Sequence, residues 1–171
     1  MIKIVRQNFK ENKIIYNKIK NELVRKIGKS NTINHIGSTV IPDMFGKNII
    51  DILIGAKNID EYEKIKDILI SKGYFCSNKT KEKEYQFFSS TKKETSSGDI
   101  HIHLTILGTN KYNDFLILEE YLLNNKKEAK EYSNFKQKII EDGIKDRKKY
   151  KEIKSKYVED LLNKAKKICY K

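Results

Sequence analysis

The sequence contains little proline, cysteine and arginine. Each of these scarcities excludes some classes of protein or of binding site. Pro42 is the only proline, and Cys76 and Cys169 are the only cysteines among 171 residues. Two cysteines cannot form a disulfide framework, so the chain fits a reducing compartment. Apolar runs are too short to span a bilayer, and the first residues lack the apolar core of a secretory signal. We therefore expect a cytoplasmic protein that does not enter membranes.

The scarcity of arginine matters because the chain is strongly basic. Its net charge is +13, yet only Arg6, Arg25 and Arg147 among the 36 basic residues are arginines. Lysine is a compact point charge without the bidentate fork of arginine. Residues 126–171 contain 16 basic and 8 acidic residues, so the excess is concentrated there. Residues 126–171 either form helices whose charges are simply solvated, or they present a basic surface that attracts anions. We favour a nucleotide or another small anionic partner over a nucleic acid.

What the chain does contain indicates a single globular domain over residues 1–171, with helices and strands in alternation. Apolar spacing predicts helices over residues 9–27, 59–72 and 150–168. It also predicts a helical stretch over 115–142 that Asn124 and Asn125 break and Gly143 ends. Strands are predicted over residues 32–36, 49–55, 84–90 and 100–107. We expect the polar loop at 91–98 to be mobile. The oligomeric state cannot be derived from these patterns.

One segment suits phosphate chemistry. A strand that ends in His35 and Ile36 runs into the turn Gly37-Ser38-Thr39, and a second strand then begins with Asp51. Gly37 lets the backbone approach an anion closely, and Ser38 with the N–H groups that follow can face phosphate oxygens. A carboxylate such as Asp51 can hold Mg²⁺, which shares its ligands with substrate phosphates. The alternative is an ordinary turn followed by an ordinary strand.

The chain has three histidines, and two of them share one strand face. His101 and His103 alternate with Ile100, Ile102 and Leu104, so both imidazoles lie opposite these apolar side chains. If this strand neighbours the strand of Asp51, the two histidines and the carboxylate line one cleft. Two imidazoles with one carboxylate can form a metal site, and His35 beside the turn is a further candidate ligand. The alternative is three partly buried, hydrogen-bonded histidines.

These motifs together resemble the GrpB family, which has the nucleotidyltransferase-like fold. The resemblance begins at His35-Ile36-Gly37-Ser38-Thr39 with Pro42 and the stretch from Lys47 to Ile52. It continues over roughly residues 9–166, at positions listed here in chain order: His101, His103, Tyr121, Leu122, Tyr132, Lys136, Tyr150, Lys154, Tyr157 and Val158. It implies an α+β domain in which a mixed sheet is flanked by helices and the C-terminal third is helical.

The chain departs from the family pattern at several positions. Asp43 follows Pro42 where the family has glycine, and Asn48 follows Lys47 where it has proline. Glu119 and Leu123 replace two family arginines, which would be natural phosphate ligands. Leu53 also occupies the place of a second carboxylate after Asp51. A two-metal mechanism normally needs several carboxylates, and Asp99 is the one other candidate.

The function that the resemblance implies is Mg²⁺-dependent transfer of a nucleotidyl group from a nucleoside triphosphate to an unknown acceptor. Gly37, Ser38 and Thr39 hold the triphosphate, while Lys47, Lys136 and Lys154 neutralise it. Asp51 ligates the metal, and His101 or His103 is a base or a further ligand.

Two alternatives remain open. One is a non-catalytic domain that retains the fold and binds a nucleotide or a protein. The other is a metal-dependent hydrolase that uses His35, Asp51, His101 and His103.

Overall fold

Five strands form a mixed sheet at the centre of the chain. The computed structural model describes residues 2–77, 83–91 and 99–169. The strands are β2 (Thr32–Ile36), β4 (Ile50–Ala56), β5 (Phe75–Cys76), β6 (Tyr85–Ser89) and β7 (Ile100–Ile106). Their order in the sheet is β2-β4-β7-β6-β5, and β4 and β7 are parallel while all other pairs are antiparallel. A separate two-stranded ladder joins β1 (Val5–Arg6) to β3 (Phe45–Gly46).

Five helices flank the sheet. They are α1 (Phe9–Ile27), α2 (Ile59–Ser71), α3 (Asn110–Asn124), α4 (Lys126–Glu141) and α5 (Arg147–Cys169). Side-chain caps begin three of them: Asn8, Asn58 and Thr109 each accept a hydrogen bond from a backbone N–H in the first turn. No helix among the described residues is long and apolar enough to cross a membrane. The predicted α+β class, with a mixed sheet and a helical C-terminal third, is confirmed.

The two faces of the sheet are covered by different helices. On one face, here called the α1 face, Ile50, Ile52 and Ile54 of β4 lie beside Ile102 and Leu104 of β7, and α1 and α2 pack against them. The opposite face, here called the α3 face, packs Ile36 and Leu53 against Tyr112 of α3. A third cluster joins α3, α4 and α5 to the crossover between β2 and β3, which contributes the buried side chains of Ile41 and Met44. The α3 face is therefore enclosed by the helical C-terminal third.

Most of the loop predicted at 91–98 lies outside the described residues.

Candidate functional site

Asp51 lies near the beginning of β4, on the α3 face of the sheet. Its backbone neighbours are Ile36 of β2 and His101 of β7. Residues that oppose each other across a ladder project to the same face, so Asp51 and His101 point to one side. Its side chain is 24% exposed, which leaves one edge of the carboxylate open to a ligand.

His101 and His103 approach Asp51 from β7, as the sequence predicts. Nδ1 of His101 lies 3.3 Å from Oδ1 of Asp51, and Nε2 of His103 lies 3.9 Å from the same oxygen. Burial alone would raise the pKa of Asp51, but the two imidazoles that face it hold that pKa well below its usual range. Asp51 is therefore an ionised carboxylate at neutral pH.

His103 is held in an aromatic enclosure. The hydroxyl of Tyr85 lies 2.7 Å from its Nδ1, and the Phe115 ring centroid is 4.7 Å from that of His103. Phe87 of β6 also contacts it edge-on. Burial lowers the pKa of His103, although the neighbouring Asp51 opposes that shift. The imidazole is consequently neutral near pH 7, which is the form that a general base requires.

Asp99 faces the ring nitrogen of His101 that points away from Asp51. Its carboxylate is fully buried and accepts hydrogen bonds from Ser90, from the Thr91 hydroxyl and from the Ile100 N–H. Oδ2 of Asp99 lies 3.4 Å from Nε2 of His101. Since these protein groups surround it, Asp99 fixes the start of β7 and is not placed as a second open carboxylate. Nε2 of His101 makes no hydrogen bond to any of the described residues.

The turn after β2 brings its backbone against Asp51. Gly37 has φ +82°, and a Cβ at this position would lie 2.6 Å from Oδ2 of Asp51. Only glycine combines that backbone conformation with so close an approach. Ser38 lies against Gly46 of β3, where a Cβ would meet its Oγ. Gly37 and Ser38 are therefore brought together with Asp51, as the sequence predicts.

Thr39 and His35 lie away from this group. Thr39 is fully buried, and its Oγ1 is 2.9 Å from Nε2 of His35. His35 opposes Ile52 in the β2–β4 ladder, so it lies on the α1 face, where its ring stacks on Tyr16 at 4.5 Å. Burial lowers its pKa to about 4. The structure thus places His35 across the sheet from His103 and Asp51, and it does not bring these three predicted metal ligands together.

Lys136 of α4 is a buried cation beside the turn. It is 3% exposed, and its Nζ has no hydrogen-bond partner among the residues that the structure describes. The ammonium lies 4.5 Å from the centroid of the Tyr132 ring and 3.7 Å from the Cβ that Gly46 would carry. Burial lowers its pKa to about 7, and the charge of Lys154 adds to this effect. A buried, unpartnered ammonium beside Ser38 and Gly46 is arranged to receive an anion.

Lys47 and Lys154 are two further basic side chains near Lys136. Nζ of Lys47 lies 5.5 Å from the centroid of the Tyr150 ring on α5. Burial lowers the pKa of Lys47 to about 8, followed by the repulsion of Arg147 and Lys154, while Asp51 opposes the shift. The charge of Lys154 contributes to the lowered pKa of both Lys47 and Lys136, so the three predicted lysines lie near one another.

The donor set fits one hard cation and not two. Asp51 is the one open carboxylate that the described residues bring to this site, and Leu53, two residues on, is fully buried. No group of three or more His, Cys, Asp or Glu side chains among the described residues could hold a metal ion by itself. Mg²⁺ needs only one or two carboxylates when substrate phosphates complete its shell. Asp51 would hold such an ion only together with a bound phosphate.

Two contributions to the site were missed from the sequence. Tyr85 contacts His103, and Ser133 Oγ accepts a hydrogen bond of 2.8 Å from the Phe45 N–H. Glu119, which replaces a family arginine, is half-buried, and burial raises its pKa to about 8. At neutral pH it therefore adds little negative charge. The one signal for Ser133 was its place next to Tyr132 in a helix that also carries Lys136.

Comparison with known proteins identifies relatives in sequence and in structure. A family model described as GrpB protein matches residues 2–164. The crystal structure of the conserved protein GrpB from Enterococcus faecalis superposes with a TM-score of 0.84 at 17% identity, covering 99% of this chain and 100% of that one. A comparison with curated proteins gave no match.

Nucleotidyltransferases appear among the more distant structural neighbours. The Cid1 poly(U) polymerase with MgGTP bound gives a TM-score of 0.44 at 16% identity, covering 74% of this chain and 44% of that one. The assignment itself rests on the family model, which spans 163 of the 171 residues, and it confirms the resemblance seen in the motifs. The chain belongs to the GrpB family.

Proposed function

We propose that this protein binds a nucleoside triphosphate at the Gly37-Ser38 turn and transfers its nucleotidyl group to an acceptor. The observation that carries the proposal is the convergence of one ionised carboxylate, two imidazoles and three lysines on the α3 face. Asp51 comes from β4, Lys136 from α4 and Lys47 from the loop between β3 and β4. A polyphosphate needs a close backbone approach and several cations, and this site offers both.

The lysines hold the triphosphate in this proposal. Lys136 and Ser38 contact its terminal phosphates, and Lys47 and Lys154 bind from the α5 side. Asp51 holds Mg²⁺ jointly with the phosphate oxygens. When bound, Mg²⁺ would neutralise charge that develops on the phosphates. Burial of Lys136 without a protein partner supports its role, because a bound phosphate supplies the partner that it lacks.

The transfer step is a displacement at phosphorus. A hydroxyl oxygen of the acceptor attacks the α-phosphorus and forms a new P–O bond. The bond from the α-phosphorus to the bridging oxygen breaks, and pyrophosphate leaves with that electron pair. The acceptor proton passes to Nε2 of His103. A tautomer with Nδ1–H donating to the Tyr85 oxygen leaves Nε2 free to accept that proton.

Calorimetry with common nucleoside triphosphates, with and without Mg²⁺, tests the binding part. We expect affinity to be higher with Mg²⁺ and this difference to vanish in Asp51→Asn, since a hard cation needs the carboxylate. Glu120→Gln, on the exposed side of α3, is the matched control and should behave as the wild type. An absence of binding at millimolar concentration would sink the proposal.

His103→Ala tests the catalytic part. If the imidazole is a general base, turnover should fall by about 10²–10⁴-fold while triphosphate affinity changes little. His35→Ala is the control, because His35 lies on the other face: it should lower the melting temperature and leave affinity per folded molecule unchanged.

The absence of a second carboxylate at Leu53 favours one alternative, a non-catalytic domain that binds nucleotide without transfer. Tight binding with no turnover over a broad panel of acceptors would establish that alternative. The hydrolase that requires His35 beside Asp51 has no support in this geometry, because the sheet separates the two side chains.

A further inference from the structure

Two phenylalanine rings lie on the α3 face of the sheet without joining its hydrophobic core. Phe87 of β6 opposes His103 of β7, and Phe75 of β5 opposes Ser89, two residues after Phe87. Partners across a ladder project to the same face, so both rings lie on the α3 face. Phe88 points the other way and is fully buried in the core. Neither Phe75 nor Phe87 belongs to any of the three hydrophobic clusters that the described residues form.

Both rings keep accessible surface beside the candidate site. Phe75 is 44% exposed and Phe87 is half-buried. The centroid of the Phe87 ring lies 5.0 Å from that of His101 and 5.4 Å from that of His103. Single apolar side chains are common on protein surfaces, but these two rings share one face next to the open edge of Asp51. Phe75 and Phe87 are called here the aromatic strip.

The order of the strands separates the aromatic strip from the phosphate-binding turn. Ser38 follows β2, and both it and the Lys136 ammonium lie beside Gly46. β2 flanks β4 on one side, while β7 and then β6 flank it on the other. Neighbouring strands are about 5 Å apart, so β6 lies about 10 Å from β4. A ligand that reaches from the turn past Asp51 and across β7 therefore meets Phe87.

The displacement at phosphorus gives the two sides of Asp51 different roles. The attacking and leaving oxygens lie roughly in line at the phosphorus. In the proposed function Lys136 and Ser38 hold the terminal phosphates, so pyrophosphate leaves on their side. The acceptor hydroxyl then enters from the opposite side, where Nε2 of His103 lies 3.9 Å from Asp51 and takes its proton. The body of the acceptor consequently lies over Phe87.

Resting on the proposed transferase function, we propose that the aromatic strip binds the acceptor through a planar ring, and that the acceptor carries its reactive hydroxyl next to that ring. Phe87 is the main contact, and Phe75 extends the surface toward the edge of the sheet. Aromatic side chains bind planar rings by stacking, and this contact tolerates different rings because each has a π-face. A nucleoside and a phenol both belong to this class.

2-Aminopurine riboside tests this proposal, because its fluorescence falls when its base stacks and the chain has no tryptophan to interfere. The riboside is titrated into protein saturated with Mg²⁺ and α,β-methylene-ATP, whose bridging methylene prevents transfer. Quenching is expected in the wild type. Phe87→Leu should bind the riboside about tenfold more weakly, and Phe87→Tyr should retain binding. Phe9→Leu is the matched control, since Phe9 is also half-buried but begins α1.

Phe75→Leu gives a second test that does not depend on a buried side chain. Phe75 is exposed, so the variant should fold as the wild type does and still bind the riboside more weakly. Competition with N-acetyltyrosinamide separates the two kinds of acceptor. Displacement of the riboside supports a phenol, whereas no displacement supports a nucleoside.

Three results would overturn the proposal: no quenching in the wild type, equal riboside affinity in Phe87→Leu and Phe9→Leu, or binding that occurs with tripolyphosphate but is lost with α,β-methylene-ATP. In the last case the aromatic strip would hold the base of the triphosphate itself. Failure of the transferase function is a separate result. It would appear as no triphosphate binding in calorimetry, while quenching of the riboside by the protein alone would remain measurable. Phe87→Leu should bind the triphosphate as the wild type does.

Discussion

At the scale of single residues, Lys136 shows how the site is maintained at the expense of stability. Its ammonium is buried and has no hydrogen-bond partner in the described part of the chain. Replacing such buried charges with apolar side chains often stabilises a fold. We expect Lys136→Met to raise the free energy of unfolding by on the order of 2 kcal/mol at pH 7 and to weaken triphosphate binding. Chemical denaturation and calorimetry measure the two effects, with Lys130→Met, exposed on the same helix, as the control.

The stability gained in Lys136→Met should depend on pH, and the lowered pKa of Lys136 fixes the direction of that dependence. The pKa of Lys136 is about 7 in the folded protein against an ordinary value of 10.5. Between these values the unfolded chain binds more protons, so stability rises with pH across this window. Lys136→Met removes that contribution. The advantage of the variant should therefore be largest at pH 7 and below and should shrink toward pH 10; an advantage that is constant with pH contradicts the assignment.

Asp43 shows the cost of a departure from the family pattern. It adopts φ 60°, a left-handed conformation that glycine adopts without strain, and glycine is the family residue there. Its ion pair with Arg6 is exposed on both sides and contributes little. Asp43→Gly should raise unfolding stability by about 1 kcal/mol, as measured by denaturant titration. Asp43→Ala keeps the strain and loses the pair, so it should not stabilise.

At the scale of elements, the turn after β2 couples backbone conformation to the site. Gly37 and Gly28 have nearly equal positive φ, but a Cβ at Gly28 would meet nothing within 4 Å. Alanine should cost each position about 1–2 kcal/mol of stability. Only Gly37→Ala should also displace Asp51 and lower Mg²⁺-dependent triphosphate affinity. Calorimetry on the two folded variants compares them, and equal affinities would show that the close approach at Gly37 is unimportant.

The sequence predicts correctly those helices and strands whose apolar residues recur with a regular spacing. The helix over residues 9–27 and the strand over 32–36 have the predicted bounds, and β4 is shifted by one residue from the prediction. Alternation in β7 placed His101 and His103 on one face, because strand parity requires it. The two-residue strands β1, β3 and β5 were missed, since such short segments carry no period.

The relation between strands was harder to predict than the strands themselves. His35 stands two residues from Gly37, yet antiparallel pairing with β4 turns it to the α1 face. Tyr85 and Ser133 are distant in sequence from the residues they contact. Nothing in the local pattern distinguishes Tyr85, and the one signal for Ser133 is its place beside Tyr132 in the helix that carries Lys136. Convergence of Lys47, Lys136 and Lys154 depends on how α4 and α5 pack, which only the tertiary structure fixes.

At the scale of the whole molecule, the net charge of +13 and the cationic site act together. Self-repulsion destabilises a compact basic protein, and an anion that binds only the folded state relieves it. Inorganic tripolyphosphate at 100 times its dissociation constant should stabilise the fold by about 2.7 kcal/mol. For a chain of this size, that corresponds to a rise in melting temperature of about 5–10 °C.

Sodium chloride at equal ionic strength controls for screening and should give a much smaller rise. Lys136→Met should lose most of the tripolyphosphate effect, because the buried ammonium is the part of the site that bulk salt cannot neutralise. Lys130→Met should keep it. A rise of equal size in wild type and Lys136→Met would mean that tripolyphosphate acts through the general surface charge, and the site beside Gly37 would then have no special affinity for phosphate.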